Sequence, residues 1–91
     1  MVGIKSYKNA YEVHFEENRA ILWFKNGTFY IGGFEEGKGK SGKGYEYKPE
    51  NYQYVGYFRH GKKNGNGLLK TIDGIEYNGE WVNNVRHGRG K

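Results

Sequence analysis

The sequence predicts an all-β protein, a single twisted antiparallel sheet of stacked β-hairpins. Three observations carry that prediction. The pattern Tyr-x-Gly-x-(Phe/Trp) occurs as Tyr30-Ile-Gly32-Gly-Phe34, Tyr54-Val-Gly56-Tyr-Phe58 and Tyr77-Asn-Gly79-Glu-Trp81, with successive tyrosines 24 and 23 residues apart. Self-similarity at such a spacing marks an architecture in which each unit stacks on its neighbours. Sixteen glycines accompany one proline, as many tight turns between short strands require, and no stretch has a helical period.

Taken in chain order, strands are expected near residues 11–16, 20–25, 28–34, 44–48, 53–58, 67–72 and 75–81. Stepping one repeat back from Tyr30 lands on Tyr7, so residues 7–29 read as a degenerate unit, with Tyr11, Phe15, Ile21 and Trp23 capping the open end. Repeats then cover 30–53, 54–76 and 77–91, the last of them truncated, and all 91 residues form one domain. Within a unit, Tyr, Gly and Phe/Trp stand at positions 1, 3 and 5 and share one strand face. The glycine leaves a gap into which a ring from a neighbouring strand can lie. Position 8 is Gly37, Gly61 and Asn84, residue types that accept a left-handed turn conformation. Asn26-Gly27 and Asp73-Gly74 are expected to form two-residue type I′ hairpins. Residues 30–53 hold one residue more than their neighbours, so Gly42 and Gly44 cannot keep register together with Tyr45 and Tyr47. Either a bulge lies within residues 38–44 or an insertion lies within residues 49–53; a bulge is favoured.

Composition bounds the function. There is no cysteine, which excludes a disulfide framework, a thiolate nucleophile and a thiolate metal site. No apolar run approaches the roughly 20 residues of a membrane-spanning helix. The N-terminus lacks an apolar signal core, so a cytoplasmic location is expected, with peripheral placement at a membrane or cytoskeleton. Nine tyrosines and two tryptophans supply core area that the few aliphatic residues do not, each ring burying roughly 150–250 Å². The net charge of +5 admits anionic partners without demanding them.

The fuller pattern Tyr-x-Gly-x-Trp-x-x-Gly-x-x-His-Gly-x-Gly resembles the MORN repeat (membrane occupation and recognition nexus). Residues 77–90 carry Tyr77, Gly79, Trp81, His87, Gly88 and Gly90, with Asn84 at the turn. Residues 54–76 follow with Phe58 for Trp, Asn64 for His and Leu69 for an aromatic residue, and residues 30–53 share Tyr30, Gly32, Phe34 and Gly37. The resemblance implies a non-catalytic protein–protein interaction scaffold or adaptor that docks a partner segment, peptide or helix, on an aromatic sheet face. Its residues would be Tyr30, Phe34, Tyr54, Phe58, Tyr77 and Trp81. The alternative is peripheral binding of acidic phospholipid membranes, phosphoinositides included, through a basic loop edge formed by Lys38, Lys40, Lys43, Lys62, Lys63, Arg86 and Arg89. A homodimer through the C-terminal sheet edge is also expected, because an unpaired edge is a template for pairing. Nucleic acid is not expected as a partner, since the charge is modest and no nucleic-acid motif occurs.

Other constellations read as structural. Gly37 through Gly44 has the glycine and lysine spacing of a phosphate-binding loop, but Gly44 stands where Ser or Thr must reach the magnesium and no helix follows. His14, His60 and His87 fall at unrelated repeat positions, so no metal set is expected. Glu16-Glu17 and Glu35-Glu36 are neighbours on strands and point to opposite faces. No catalytic residue and no cofactor is expected, and the chain is read as a non-enzyme.

Overall fold

A computed structural model describes residues 2–4 and 10–88, with side chains over 13–88. It contains nine strands and no helix among the described residues: β1 (Val2–Ile4), β2 (Ala10–Glu16), β3 (Arg19–Phe24), β4 (Phe29–Glu35), β5 (Gly39–Lys48), β6 (Tyr52–Arg59), β7 (Lys62–Thr71), β8 (Glu76–Val82) and β9 (Val85–His87). Each strand pairs antiparallel with the next, giving one sheet in sequence order. Eight inter-strand steps of about 4.8 Å make about 38 Å, which matches the longest dimension of 39 Å. The sheet is therefore a stack of consecutive hairpins, with the long axis running across the strands.

All seven expected strands are present. Two begin earlier than the sequence suggested: β5 starts at Gly39 and β7 at Lys62. The reason is a bulge that recurs in both units. After Gly32↔Gly44, pairing resumes at Phe34↔Lys40; after Gly56↔Gly67, it resumes at Phe58↔Lys63. Gly42 (φ +78°) and Gly65 (φ +101°) supply the left-handed residue inside each bulge, so pairing continues past it. Of the expected basic loop edge, Lys40, Lys43, Lys62, Lys63 and Arg86 lie on strands and Lys38 lies in the β4–β5 turn.

The favoured bulge within residues 38–44 is present but is shared by both units, and the extra residue of unit 30–53 lies instead in the β4–β5 turn. Glu35 pairs with Gly39 across residues 36–38, whereas Arg59 pairs with Lys62 across His60 and Gly61 alone. The turn chemistry is also redistributed. His60 and Gly61, and likewise Asn83 and Asn84, all have positive φ, the signature of a two-residue type I′ hairpin. The Asn-Gly and Asp-Gly signals instead close three-residue turns. Phe24 N–H donates to Thr28 O and Thr71 N–H to Ile75 O, at 2.9 and 2.8 Å, with Gly27 and Gly74 left-handed. The expected left-handed position 8 is observed at Gly37, Gly61 and Asn84.

Cross-strand register sorts the side chains into rows. On one face, here the inner, run Val13, Leu22, Tyr30, Glu46, Tyr54, Leu69 and Tyr77. Beside them lies a lane of small residues: Ala20, Gly32, Gly44, Gly56, Gly67 and Gly79. The opposite, outer face carries the alternate residues. β6 shows the division, with Tyr54, Gly56 and Phe58 buried and Gln53, Val55, Tyr57 and Arg59 exposed. Tyr7, Tyr11, Arg89 and Lys91 lie outside the residues whose side chains are described. Of the expected end-capping side chains, Phe15 packs against Phe34 at 4.9 Å between ring centroids, and Trp23 lies on the outer face against Phe29.

Candidate functional site

The repeat motif builds the inner face by one local device used three times. Each motif tyrosine donates its hydroxyl to the carbonyl three residues on: Tyr30 to Gly33 O at 2.6 Å, Tyr54 to Tyr57 O at 2.9 Å and Tyr77 to Glu80 O at 3.1 Å. The ring is thereby laid across the glycine lane. A Cβ on Gly44 would stand 2.5 Å from Tyr30 Oη, and one on Gly67 would overlap the Tyr54 ring. The motif Phe/Trp rings then meet the tyrosines edge-on. Phe58 lies 5.2 Å from Tyr30 and 5.1 Å from Tyr54, and Trp81 lies 5.6 Å from Tyr54 and 5.2 Å from Tyr77. This is the favoured geometry for paired rings. Trp81 Nε1 donates to Gly67 O at 3.2 Å, so the indole is satisfied as well as packed.

The consequence is burial. Tyr30, Phe34, Tyr54, Phe58, Tyr77 and Trp81 are all at most 8% exposed and form the core with Val13, Ala20, Leu22 and Leu69. The sequence led us to expect part of this ladder to remain accessible. Rings that lie flat over glycines occupy the space a second layer would otherwise fill, so one sheet buries its own aromatic face.

The predicted basic edge divides. Lys40, Lys63 and Arg86 occupy the same register position, opposite Phe34, Phe58 and Trp81, and all three turn onto the inner face above the rings. Lys40 Nζ is 5.3 Å from the Tyr30 centroid, Lys63 Nζ 5.5 Å from that of Tyr54, and the Arg86 guanidinium 4.8 Å from that of Tyr77. These are cation–π distances. Lys38, Lys43 and Lys62 are exposed, and Arg89 lies outside the described residues.

Glu46 is the residue that sequence reasoning missed. It is 7% exposed, the one buried charged residue among those described, and sits in the inner row between Tyr30 and Tyr54. Lys40 Nζ donates to Oε2 at 2.6 Å, the Tyr52 hydroxyl donates to Oε1 at 2.8 Å, and Lys63 Nζ stands 3.9 Å from Oε1. Lys63 also donates to Tyr52 Oη at 3.2 Å. Burial on its own raises the Glu46 pKa, but the charge and hydrogen bond of Lys40, with Tyr52 and Lys63, outweigh it and hold the carboxyl below its ordinary value. Burial depresses the Lys63 pKa despite the attraction of Glu46. It raises that of Tyr54 to about 12, against the hydrogen bond to Tyr57 and with help from the Glu46 charge. The signal for this cluster was present as a lone Glu where the next unit has Leu69, yet only the register shows that the two are equivalent.

The outer face has the opposite character. A row runs Ile21, Ile31, Tyr45, Val55, Leu68 across β3 to β7. Flanking it on one side are Trp23, Phe29 and Tyr47, and on the other Tyr57. Trp23, Tyr47, Val55 and Tyr57 are 42–48% exposed. At the β2–β4 end a cleft of about 300 Å³ opens between His14, Arg19, Ile21, Trp23 and Ile31. Among the described residues, no group of three or more His, Cys, Asp or Glu side chains is placed to hold a metal ion, and no helix is long and apolar enough to cross a membrane.

A sheet of consecutive hairpins, in which one tyrosine device recurs three times, defines a repeat protein of stacked β-hairpin units. The family model of the MORN repeat matches residues 54–75 and 77–91, so that part of the chain consists of MORN repeats, consistent with a MORN-repeat protein. Unit 30–53 falls outside those matches but repeats the same tyrosine-to-carbonyl bond, bulge and cation. No curated protein matches the chain. MORN repeats form a non-enzymatic family generally involved in interactions with proteins or membrane lipids.

Proposed function

We propose that the chain is a non-catalytic interaction scaffold that docks a protein segment on its sheet, and that the docking face is the outer one. The observation that carries this reading is the aromatic and aliphatic surface exposed at Trp23, Tyr47, Val55 and Tyr57. Side chains of this kind anchor interfaces, and contiguous exposed apolar surface marks partner sites. The six motif aromatics then act as the frame that holds this surface flat, and do not themselves meet the partner. The basic-edge reading is weaker, because Lys40 and Lys63 spend their charge on Glu46.

The test is capture from a cell extract, comparing the wild-type chain with a variant carrying Val55→Ser and Tyr57→Ser. Both substituted positions are exposed, so thermal unfolding should be unchanged. The scaffold reading expects a protein captured by wild type and lost by the variant. Equal capture by both, or binding to acidic vesicles alone that survives 0.15 M salt, where exposed charges are screened beyond about 8 Å, would overturn it.

A further inference from the structure

We infer that the outer face takes an amphipathic α-helix whose apolar stripe is bordered by carboxylates. The inference rests on the scaffold reading and names the class of partner. The apolar row runs across the strands, from Ile21 on β3 to Leu68 on β7. Its four inter-strand steps make about 19 Å, the length of a helix of about 13 residues.

The chemistry of the face selects a helix over an extended peptide. The backbone groups of β3 to β7 are already paired with the neighbouring strands. An extended segment laid across their apolar side chains would bury its own N–H and C=O groups against nothing that bonds them, at a cost of about 1–3 kcal/mol each. A helix satisfies those groups internally and needs only an apolar stripe.

The charges select the sign of the partner. Across β3 to β7, the three outer rows contain Arg19 and Lys43 on one margin and Lys70 on the other. Carboxylates enter these rows only on the flanking strands, at the register positions of Glu12 and Glu16 on β2 and of Glu76 and Glu80 on β8. Lys70 meets Glu76 at 3.9 Å, with both side chains about half exposed, so a partner carboxylate can compete for it at little cost. The cleft between Arg19, Trp23 and Ile31 gives one end of the helix a seat for a large apolar side chain. An acidic helix is thus matched in length, in backbone satisfaction and in charge.

The probe is a dye-labelled, hydrocarbon-stapled amphipathic peptide of about 15 residues, with leucines on one face bordered by glutamates. A twin carries lysines for the glutamates. Fluorescence polarisation should show the acidic peptide binding at least tenfold more tightly than the basic one. Val55→Asn with Leu68→Asn should weaken it at least tenfold, and Lys43→Glu with Lys70→Glu should reverse the preference. Equal affinity for the two peptides overturns the inference, as does acidic-peptide binding that ignores Val55 and Leu68. A dimer in sedimentation velocity that Val55→Asn dissolves would replace the helix with a second copy and overturn it too. If neither peptide binds while extract capture still depends on Val55 and Tyr57, the helical partner is wrong and the scaffold reading stands. If capture ignores both residues, the scaffold reading has failed by itself.

Discussion

Two junctions between neighbouring units fill one register position in opposite ways. Between Tyr30 and Tyr54 the inner row holds Glu46; between Tyr54 and Tyr77 it holds Leu69. The frame around that position is shared: a tyrosine bonded to a carbonyl of its own strand, a ring edge-on to it and a cation above. The first junction is ionic, with Glu46 bonded to Lys40 and Tyr52, and the second is apolar. The aromatic frame thus defines the repeat, while the residue beneath it varies freely if its charge is answered. Lys63 belongs to both junctions, since it faces Glu46 and also stands over Tyr54 and Trp81.

The largest effect should come from breaking the frame the two junctions share. Gly67→Ala places a methyl group where the Tyr54 ring lies. That ring is held by Phe58, Trp81 and its own bond to Tyr57, so it cannot swing aside. Overpacking of this kind costs about 3 kcal/mol, a large part of the stability of so small a chain. Urea unfolding should show the midpoint collapse, and a loss under about 1 kcal/mol, the low end of that overpacking range, would mean that the ring does not need the glycine lane.

The frame was legible in the sequence because its parts are local. Tyr30, Gly32 and Phe34 lie within one strand, and period-two alternation alone places them on one face. Gly61 and Asn84 announced their left-handed turns in the same way. What could not be read depends on register across strands. Gly42 and Gly65 look like loop residues until the bulge shows that pairing resumes beyond them, and with it Lys40 and Lys63 move from a supposed basic rim onto the rings. The outer row Ile21, Ile31, Tyr45, Val55, Leu68, half-buried except for the exposed Val55, draws one residue from each of five strands, so no window of sequence displays it. The burial of the aromatic ladder was hidden for the same reason: strand alternation tells which residues share a face, not which face closes on itself.

Substitutions beneath the frame should separate the junctions. Leu69→Ala deletes a buried aliphatic side chain and should cost about 2–4 kcal/mol, independent of pH. Glu46→Gln keeps an acceptor for Tyr52 but leaves two lysines uncompensated. Breaking a buried pair costs up to about 5 kcal/mol; these lysines can extend toward solvent, so about 1–3 kcal/mol is expected. The pH dependence identifies the cause. Glu46 is held below its ordinary pKa of 4.5, so the folded state binds this proton less readily than the unfolded one. The stabilisation is complete above that value and disappears as pH falls below it. Comparing urea midpoints at neutral pH and well below 4.5, wild type should lose more than Glu46→Gln, and Leu69→Ala should track wild type. Equal acid sensitivity in all three would remove the ionic cluster from the account.

The smallest effect tests whether burial or register position gives these cations their weight. Arg86 occupies the position of Lys63 and lies over Tyr77 at 4.8 Å, but it is exposed and has Leu69 in the neighbouring row where Lys63 has Glu46. A cation–π contact at an exposed site contributes about 0.5–1 kcal/mol, so Arg86→Ala should cost no more than that. Lys63→Ala removes a side chain packed against Tyr52, Tyr54 and Trp81 and leaves Glu46 with Lys40 and the Tyr52 hydroxyl, and it should cost measurably more. The double variant should depart from additivity only by the coupling through Trp81, the neighbour both cations share, because Arg86 does not reach Glu46, the charged partner of Lys63. Equal losses for the two single variants would place the stabilisation in the ring contact common to both, and the difference between the junctions would then owe nothing to Glu46.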